Sequence, residues 1–413
     1  MSRVIAICFL LLAAVIGFLH IDSRPVWAPF AITSADSGNE AVDENASAPA
    51  KGFSKVNTSA PLSNWLPDTG APSVHAASLI TLKDAGVRAF WFAGSREGAS
   101  DVAIYSSVYD VKSNDWSAPT VVIDRISAEL GLARYIAKLG NPVPSRAADG
   151  SLQLFFVTVS LGGWAGSSIS LVSSSDEGLT WSKPQRLINS PLLNLSTLVK
   201  SPTIAFSDGL VGIPAYHEWI GRFGEFLRVD AGRVIDKRRM SSGRDAIQPL
   251  VFVNDAQDAK AYFRQTRRSG LPKQIPVSQT QDAGQTWQQL GDLPIANPNS
   301  AVTGVILKNG TRLLALNNIE AGRYRLVLLM NDAKSEQWHT ISVLEDDEAL
   351  PEVQRKEFSY PYIISADGED AHLVYTWDRK KIRHRYFSGA WLKQAYRQAL
   401  PVESESIAQE AKQ

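Results

Sequence analysis

The chain has 413 residues, with 42 basic and 42 acidic side chains and a formal net charge of zero at pH 7. This balance excludes a general electrostatic attraction to nucleic acid or to an acidic membrane, so any recognition of charge must be local. The only cysteine, Cys8, excludes an internal disulfide and a cysteine-based zinc site.

The first predicted element is an apolar helix at the N-terminus. The run 4–19 is almost wholly apolar and is preceded by Arg3. Such a run is short for a membrane span and long for the core of a signal peptide. We therefore expect residues 1–28 to be either a signal peptide, cleaved near Val26-Trp27-Ala28, or an anchor in the inner membrane. In both cases the protein is expected to be exported, to the periplasm or outside the cell.

The composition then changes twice along the chain. Residues 29–64 are rich in Ala, Ser, Asn, Asp, Glu and Pro and contain few large apolar side chains. This composition cannot bury enough surface to offset chain entropy, and it predicts a disordered linker. A folded domain is expected over 65–399, followed by a polar tail over 400–413.

The folded domain is predicted to be all-β. Short apolar runs such as 87–93, 152–159 and 302–307 are separated by turn residues, often Asp-Gly or Asn-Gly. These are typical of strands joined by hairpins. The only helical pattern is a short one near Ala128–Leu139.

One turn recurs in a specific form. Residues 174–181 read Ser-x-Asp-x-Gly-x-Thr-Trp, residues 280–287 repeat this with Thr for Ser, and weaker copies end at Trp116 and Trp338. The four tryptophans are 65, 106 and 51 residues apart. This indicates a unit of roughly 50–60 residues with one copy lacking the turn, which is the size of a four-stranded propeller blade. The domain then divides into about six blades, and we expect Trp181 and Trp287 to be structural.

These turns resemble those of the Asp-box proteins. Four further segments, 92–103, 213–218, 357–361 and 375–378, are similar to segments of the sialidase-like (BNR-repeat) family, in its branch of predicted bacterial neuraminidases. The resemblance covers nearly all of the domain. It implies a six-bladed β-propeller of the sialidase type, in which the Asp boxes lie on the rim, away from the active site.

A polar residue followed by proline recurs at blade spacing. The pairs are Asn141-Pro142, Ser201-Pro202 after Lys200, Gln248-Pro249, Asn297-Pro298 and Tyr360-Pro361, and His75 has a similar place before the first blade. Because propeller sites form at one end of the central channel, this recurrence predicts a ring of polar side chains there. The proline after Tyr360 predicts an extended backbone at that tyrosine.

The family resemblance implies roles for individual residues. Sialidases use a tyrosine nucleophile, a glutamate that activates it, an aspartate acid/base and three arginines that bind the substrate carboxylate. By local motif, Tyr360 matches the nucleophile and Asp101 matches the acid/base. Arg264 and Arg323 match two of the three arginines, and Arg96 a further substrate contact.

Two positions depart from the family pattern. His75 stands where the first arginine of the family is expected. Gln248 stands where the activating glutamate is expected, and Glu357 replaces it if its loop turns inward. The remaining residues expected to contact substrate are Lys200, Tyr216, His217 and Glu218.

Three functions are compatible with these residues. The leading hypothesis is an exo-sialidase-like retaining glycoside hydrolase acting on an acidic sugar. The others are a lyase for uronic-acid polysaccharides, using histidine and tyrosine, and a non-catalytic glycan-binding propeller. We expect an acidic glycan or polysaccharide as partner, no nucleic acid, no cofactor and a monomer. No metal is expected, since the six histidines are scattered and His217-Glu218 is an isolated pair.

Overall fold

The computed structural model describes residues 2–21, 25–32, 58, 60–84, 86–111, 113–190, 194–243, 245–267, 270–332, 335 and 337–401. Three α-helices lie in these ranges, α1 over Ser2–Ile21, α2 over Arg125–Leu132 and α3 over Gly389–Ala399. Within the described part of the chain, no helix has both the length and the apolar character needed to cross a membrane. Most of the predicted linker (33–57 and 59) and of the predicted tail (402–413) lies outside the described residues.

Six antiparallel sheets follow one another along the chain, and each packs against the next. The first blade contains β2 (Ser73–Thr81), β3 (Val87–Gly94), β4 (Ala103–Asp110), β5 (Asp115–Trp116) and β6 (Thr120–Asp124). The second contains β7 (Lys138–Arg146), β8 (Leu152–Val159), β9 (Ser167–Ser174) and β10 (Gln185–Arg186). The third contains β11 (Leu198–Val199), β12 (Ile204–Ala205), β13 (Val211–His217), β14 (Phe223–Asp230) and β15 (Arg233–Arg239).

The fourth blade contains β16 (Ala246–Val253), β17 (Ala259–Gln265), β19 (Val277–Thr280) and β20 (Gln288–Gln289), with a small added ladder of β18 (Gln274–Ile275) and β21 (Leu293–Ala296). The fifth contains β22 (Thr303–Ile306), β23 (Arg312–Leu316), β24 (Arg325–Asn331) and β25 (His339–Asp346). The sixth contains β26 (Phe358–Ile364), β27 (Ala371–Trp377), β28 (Lys381–Phe387) and, outermost, β1 (Leu62–Trp65). The predicted all-β, six-bladed propeller is confirmed.

The ring is closed by the two ends of the domain. Strand β1 pairs antiparallel with β28, Leu62 opposite Tyr386 and Trp65 opposite Arg383, while β2 of the first blade contacts β26 of the sixth. The first strand of the domain therefore completes the last blade and joins the two ends of the ring, and the inner edges of the blades are protected inside the channel.

Burial follows the position of each strand within its blade. Strands β3 and β8 are buried along their whole length, which explains their continuous apolar sequences, since neighbouring blades cover both faces. The outer strand β15, with sequence RVIDKRR, alternates between exposed and half-buried residues. The core is thus a series of apolar layers between blades, such as Phe155, Ile213 and Leu227 between the second and third.

The two Asp-box turns form as predicted. Asp176 Oδ1 accepts hydrogen bonds from the amides of Leu179 (3.0 Å) and Thr180 (2.9 Å), and Gly178 has φ +90°. Trp181 packs edge-on against Phe90 of the preceding blade, with ring centroids 5.8 Å apart. Trp287 packs in the same way against Phe226, at 5.9 Å. Each tryptophan therefore links its blade to the preceding one, which supports a structural role.

The two ends of the channel differ. We call the end at which the innermost strands begin the mouth; the loops between the second and third strands of each blade lie at this end. We call the opposite end, which carries the Asp-box turns, the base. The short helix predicted near Ala128–Leu139 is α2, which begins three residues earlier and ends at Leu132.

A segment before the propeller is docked at the base. Trp27 and Phe30 are only 3% and 2% exposed, and their rings pack with Phe206 and Phe226 of the third blade. The Trp27 indole donates to Asp236 Oδ2 (3.0 Å), and its backbone amide donates to Gln285 Oε1 (3.1 Å) in the second Asp box. The described segment 25–32 therefore joins the third and fourth blades and extends past residue 29, at which the predicted linker begins.

Candidate functional site

Four of the innermost strands contain a bulge at the mouth, and three of these bulges carry a polar side chain. Each of the four contains one extra residue relative to its neighbour, at Ala76, Asn141, Gln248 and Tyr360. Each of these residues has a left-handed backbone, with φ of 51°, 46°, 52° and 51°. The predicted extended backbone at Tyr360 is therefore wrong. The bulge, and not the following proline, decides the conformation, at a cost of about 1–3 kcal/mol for such a residue.

Two arginines from different blades meet at Tyr360. Arg264 Nη1 lies 3.5 Å from the Tyr360 hydroxyl oxygen, and the Arg323 guanidinium carbon lies 6.0 Å from the centre of its ring. Both arginines also bind Asn299, Arg264 Nε through Oδ1 (2.7 Å) and Arg323 Nη2 through the backbone carbonyl (3.1 Å). The two arginines that the resemblance implied thus lie on one side of the channel, joined by an asparagine of the fifth blade.

A third arginine lies in the same region. Arg379, in the mouth loop of the sixth blade, donates to Glu357 Oε2 (3.0 Å) and to Glu97 Oε2 (2.5 Å). Glu357 also accepts from Arg323 Nη1 (3.0 Å). Burial alone raises the pKa of Glu357, but its hydrogen bonds and the charges of the two arginines lower it to about 2. Glu357 is therefore a permanent carboxylate that balances two of the three arginines.

A chain of hydrogen bonds connects Arg264 to the neighbouring blades. Arg264 Nη1 donates to Gln248 Oε1 (3.4 Å), and Gln248 Nε2 donates to the Tyr216 hydroxyl (3.2 Å). The same hydroxyl accepts from Asn141 Nδ2 (3.4 Å). Burial raises the pKa of Tyr216 well above its usual value. Burial also raises the pKa of Glu218, against the opposing charges of Arg264 and Arg222, so this carboxyl holds its proton more tightly than usual.

His75 is buried against Tyr360. The two ring centroids are 4.5 Å apart, and neither imidazole nitrogen has a hydrogen-bond partner among the described residues. Glu97 Oε2 is 4.0 Å from His75 Nε2. Burial outweighs the attraction of Glu97 and lowers the pKa of His75 to about 4, so the ring is neutral at pH 7.

Four of the expected residues make no described contact with Tyr360 or Arg264. Asp101 is exposed on the mouth loop of the first blade, where it accepts from the Ser95 amide and hydroxyl, and those bonds lower its pKa. Arg96, on the same loop, is exposed. His217 stacks on Phe223 at 4.8 Å and its Nε2 accepts from the amide of Ile220. Lys200 is buried in the channel. Among the described contacts, none joins these four to Tyr360 or to Arg264.

Three residues of the site were not expected from the sequence. Glu97, Asn299 and Arg379 each follow or precede an innermost or second strand at the mouth. Arg264 lies near the end of β17, and Arg323 lies just before β24. The available signal was therefore a polar residue at the end of a strand in each blade. Among the described residues, no group of three or more His, Cys, Asp or Glu side chains is placed to hold a metal ion.

Acid is expected to destabilise the propeller through its buried histidines. Burial lowers the pKa of His75 and His372 to about 4, and that of His384, whose Nε2 is 3.1 Å from His372 Nδ1, well below 6.5. Between pH 6.5 and 4 the unfolded chain binds protons that the folded chain does not. The free energy of unfolding should therefore decrease as the pH is lowered from 6.5 to 4, by about 2–3 kcal/mol for each of these histidines. Urea denaturation at pH 7, 5.5 and 4.5 measures this. His372→Gln should flatten the pH dependence, and an unchanged slope would contradict the assignment.

Comparison with known proteins agrees with this architecture. The model of the family described as BNR repeat-like domain matches residues 86–373. No curated protein sequence matches the chain. The Hadza microbial sialidase Hz136 superposes with a TM-score of 0.63 at 14% identity, over 77% of this chain and 66% of that one. A protein of unknown function from Dyadobacter fermentans superposes with a TM-score of 0.60 at 13% identity, over 79% and 97%.

A further similar structure is the NanB sialidase from Streptococcus pneumoniae, with a TM-score of 0.59 at 12% identity, over 78% of this chain and 69% of that one. The chain thus spans about two thirds of the length of the two sialidases. At these identities the likeness establishes the shared propeller fold alone.

Proposed function

The chain belongs to the BNR repeat-like domain family, whose sialidase-like fold it shares, and we propose that it hydrolyses a terminal acidic sugar at the mouth of its channel. The observation that carries this proposal is the meeting of Arg264 and Arg323 at Tyr360. A guanidinium pair beside a phenol suits a substrate that presents a carboxylate next to the bond to be broken.

Arg264 is the cation available for that carboxylate. Arg323 and Arg379 are each paired with glutamates. Arg264 binds only uncharged groups, on Asn299, Gln248 and Tyr360, and forms no ion pair among the described residues. A partly buried arginine that forms no ion pair gains more from a bound carboxylate than one already paired with a glutamate. Affinity for the glycan should therefore depend on Arg264 and should weaken with salt.

The reaction that fits these groups is a double displacement. The Tyr360 oxygen bonds to the anomeric carbon while the bond from that carbon to the leaving oxygen breaks. His75, which packs on the Tyr360 ring, takes the phenol proton, and because burial makes it a weak base, Arg264 has to stabilise the negative charge on the tyrosine oxygen. Glu218 protonates the leaving oxygen. Water then attacks the anomeric carbon and gives a proton to Glu218, and Tyr360 leaves with the proton from His75.

The first experiment identifies the glycan and the chemistry together. The full chain is applied in detergent to an array of glycans that end in sialic acid, uronic acid or neutral sugars, and bound glycan and released product are both measured. Reaction in water enriched in ¹⁸O then separates the mechanisms, since hydrolysis incorporates ¹⁸O into the released sugar. Binding without product would favour the non-catalytic alternative, and equal binding of neutral glycans would contradict acidic recognition.

Arg264→Met tests the carboxylate site. Loss of a charge-assisted hydrogen bond is worth about 1.5–3 kcal/mol, so affinity for the acidic glycan should fall about 10- to 100-fold and lose much of its salt dependence. Arg312→Met is the matched control, because Arg312 also donates to an asparagine oxygen, that of Asn254 (2.9 Å), but at the base. Titration of the array glycan by calorimetry measures both variants. An equal loss in the control, or none in Arg264→Met, would refute the site.

Glu218→Gln and Asp101→Asn distinguish two candidates for the acid. A general acid needs a raised pKa, which burial gives to Glu218, whereas hydrogen bonds lower the pKa of exposed Asp101. Glu218→Gln should lower kcat by roughly 10²–10⁴-fold and remove the loss of rate at high pH that follows deprotonation of this acid. Asp101→Asn should retain kcat within about 3-fold. The reverse result would restore to Asp101 the role that the family resemblance implies.

One observation favours a second candidate, the lyase. A β-elimination needs a neutral base, a proton donor to the leaving oxygen and a cation at the carboxylate. His75, neutral and without a hydrogen-bond partner among the described residues, lies against Tyr360, with Arg264 at the tyrosine hydroxyl. An unsaturated product that absorbs in the ultraviolet, formed without ¹⁸O uptake, would select this function over hydrolysis.

A further inference from the structure

Lys200 joins two blades that face each other across the channel. The innermost strand of the third blade is interrupted between β11, which ends at Val199, and β12, which begins at Ile204. At this interruption Lys200 Nζ donates to the backbone carbonyl of Pro361 in β26 (2.5 Å). In a closed ring of six blades the third and the sixth are opposite, so the lysine side chain spans the channel.

The surroundings of Lys200 do not suit a residue that binds substrate. Lys200 is 4% exposed. Among the described residues, the only other contact of its ammonium group is with the ring of Tyr362, whose centre is 5.5 Å from Nζ. Burial lowers its pKa to about 7, with no contribution from a neighbouring charge. A buried amine without an acidic partner is costly to keep, which favours a specific role for its single hydrogen bond.

That hydrogen bond ends at the bulge that presents Tyr360. Pro361 is the second residue of the bulge, and Tyr360, the first, has a left-handed backbone that a bulky side chain rarely adopts. Such a conformation persists only where its surroundings hold it. Within β26, the ladder to β27 is interrupted between Ser359 and Tyr362, so the sheet itself does not hold these two residues.

We propose that Lys200 is a positioning residue that holds the Tyr360–Pro361 bulge from the opposite side of the channel. The proposal rests on the proposed function only in taking Tyr360 as the reactive group, since the hydrogen bond itself is independent of any chemistry. In this role Lys200 acts through Pro361 and does not touch substrate.

The direct test observes the position of Tyr360 without requiring activity. The full chain carries 3-fluorotyrosine at position 360 and is studied by ¹⁹F NMR. The parent chain should give one resonance, and Lys200→Met should shift or split it, because the bulge is released. Lys273→Met is the matched control: Lys273 Nζ also donates to a backbone carbonyl, that of Glu320 (3.0 Å), but at the surface. The Lys273→Met variant should give the same Tyr360 resonance as the parent chain.

Kinetics supply the second readout. Displacement of a reacting group by about 1 Å costs on the order of 100-fold in rate, so kcat of Lys200→Met should fall roughly 10- to 100-fold. KM should change little, because Arg264 lies on a different strand. Lys200→Arg, which keeps a donor, should recover part of the rate.

An unmoved resonance in folded Lys200→Met would overturn the proposal. If that variant does not fold, the ¹⁹F spectrum of Lys200→Gln is recorded instead. Its shorter side chain does not reach Pro361, so the resonance of residue 360 should again shift or split. A shifted resonance in a chain that turns over no glycan would support the positioning role and, separately, count against the proposed hydrolysis.

Discussion

Tyr360→Phe is expected to lower kcat by about 10³-fold or more while glycan affinity changes less than about 3-fold. The substitution removes one oxygen, the atom proposed to bond to the anomeric carbon, and leaves the ring that packs on His75 and below Arg323. Carboxylate binding depends on Arg264, whose bonds to Asn299 and Gln248 do not involve the tyrosine. The substrate should therefore still bind in a site that no longer reacts.

The measurement is steady-state turnover of the glycan found on the array, combined with peptide mass analysis of an acid-quenched reaction. A sugar adduct on the peptide that contains residue 360 is expected in the parent chain and absent from the variant. Tyr324→Phe, in the mouth loop of the fifth blade, is the control and should behave as the parent. Retention of kcat within 10-fold by Tyr360→Phe would exclude the nucleophile role.

Trp27→Ala is expected to lower the free energy of unfolding by about 3–5 kcal/mol, although residue 27 lies outside the predicted domain. The indole is 3% exposed, packs on Phe206 and Phe226, and donates to Asp236 Oδ2. Ala leaves a cavity there, while Asp236 keeps its ion pair with Arg238. Trp27→Phe keeps an aromatic ring but loses the hydrogen bond and part of the buried indole volume, so a smaller loss of about 1–3 kcal/mol is expected.

Urea and thermal denaturation of the full chain measure both variants. Trp219→Ala, which removes a side chain that is 49% exposed in a mouth loop, is the comparison and should change stability by less than about 0.5 kcal/mol. Equal effects at positions 27 and 219 would show that the docked segment does not contribute to the stability of the propeller.

The parts of this structure that the sequence predicted are those encoded locally. An Asp box is a complete turn within eight residues, so its recurrence indicated the blades before any long-range contact was known. The family motifs likewise located Arg264, Arg323 and Tyr360, which the fold brings together. The extended backbone expected at Tyr360 was wrong because the proline rule concerns adjacent residues, whereas the bulge is set by pairing with β27.

The parts that were missed depend on closure of the ring. Glu97, Asn299 and Arg379 come from the first, fifth and sixth blades, and only the closed propeller places them beside one another. Trp27 was missed for a related reason. It stands alone between an apolar helix and a polar stretch, and its partners lie about 180–260 residues further along the chain.

Docking of Trp27 and Phe30 at the base also limits where α1 can lie relative to the mouth. Only residues 22–24 separate the described end of α1 from Pro25, so six residue steps from Ile21 to Trp27 span at most about 20 Å. The C-terminal end of α1 therefore lies within about 20 Å of Trp27, which is docked at the base. The opening that contains Tyr360 lies at the other end of the channel, so the substrate proposed above would enter from the side of the propeller opposite to this docked segment.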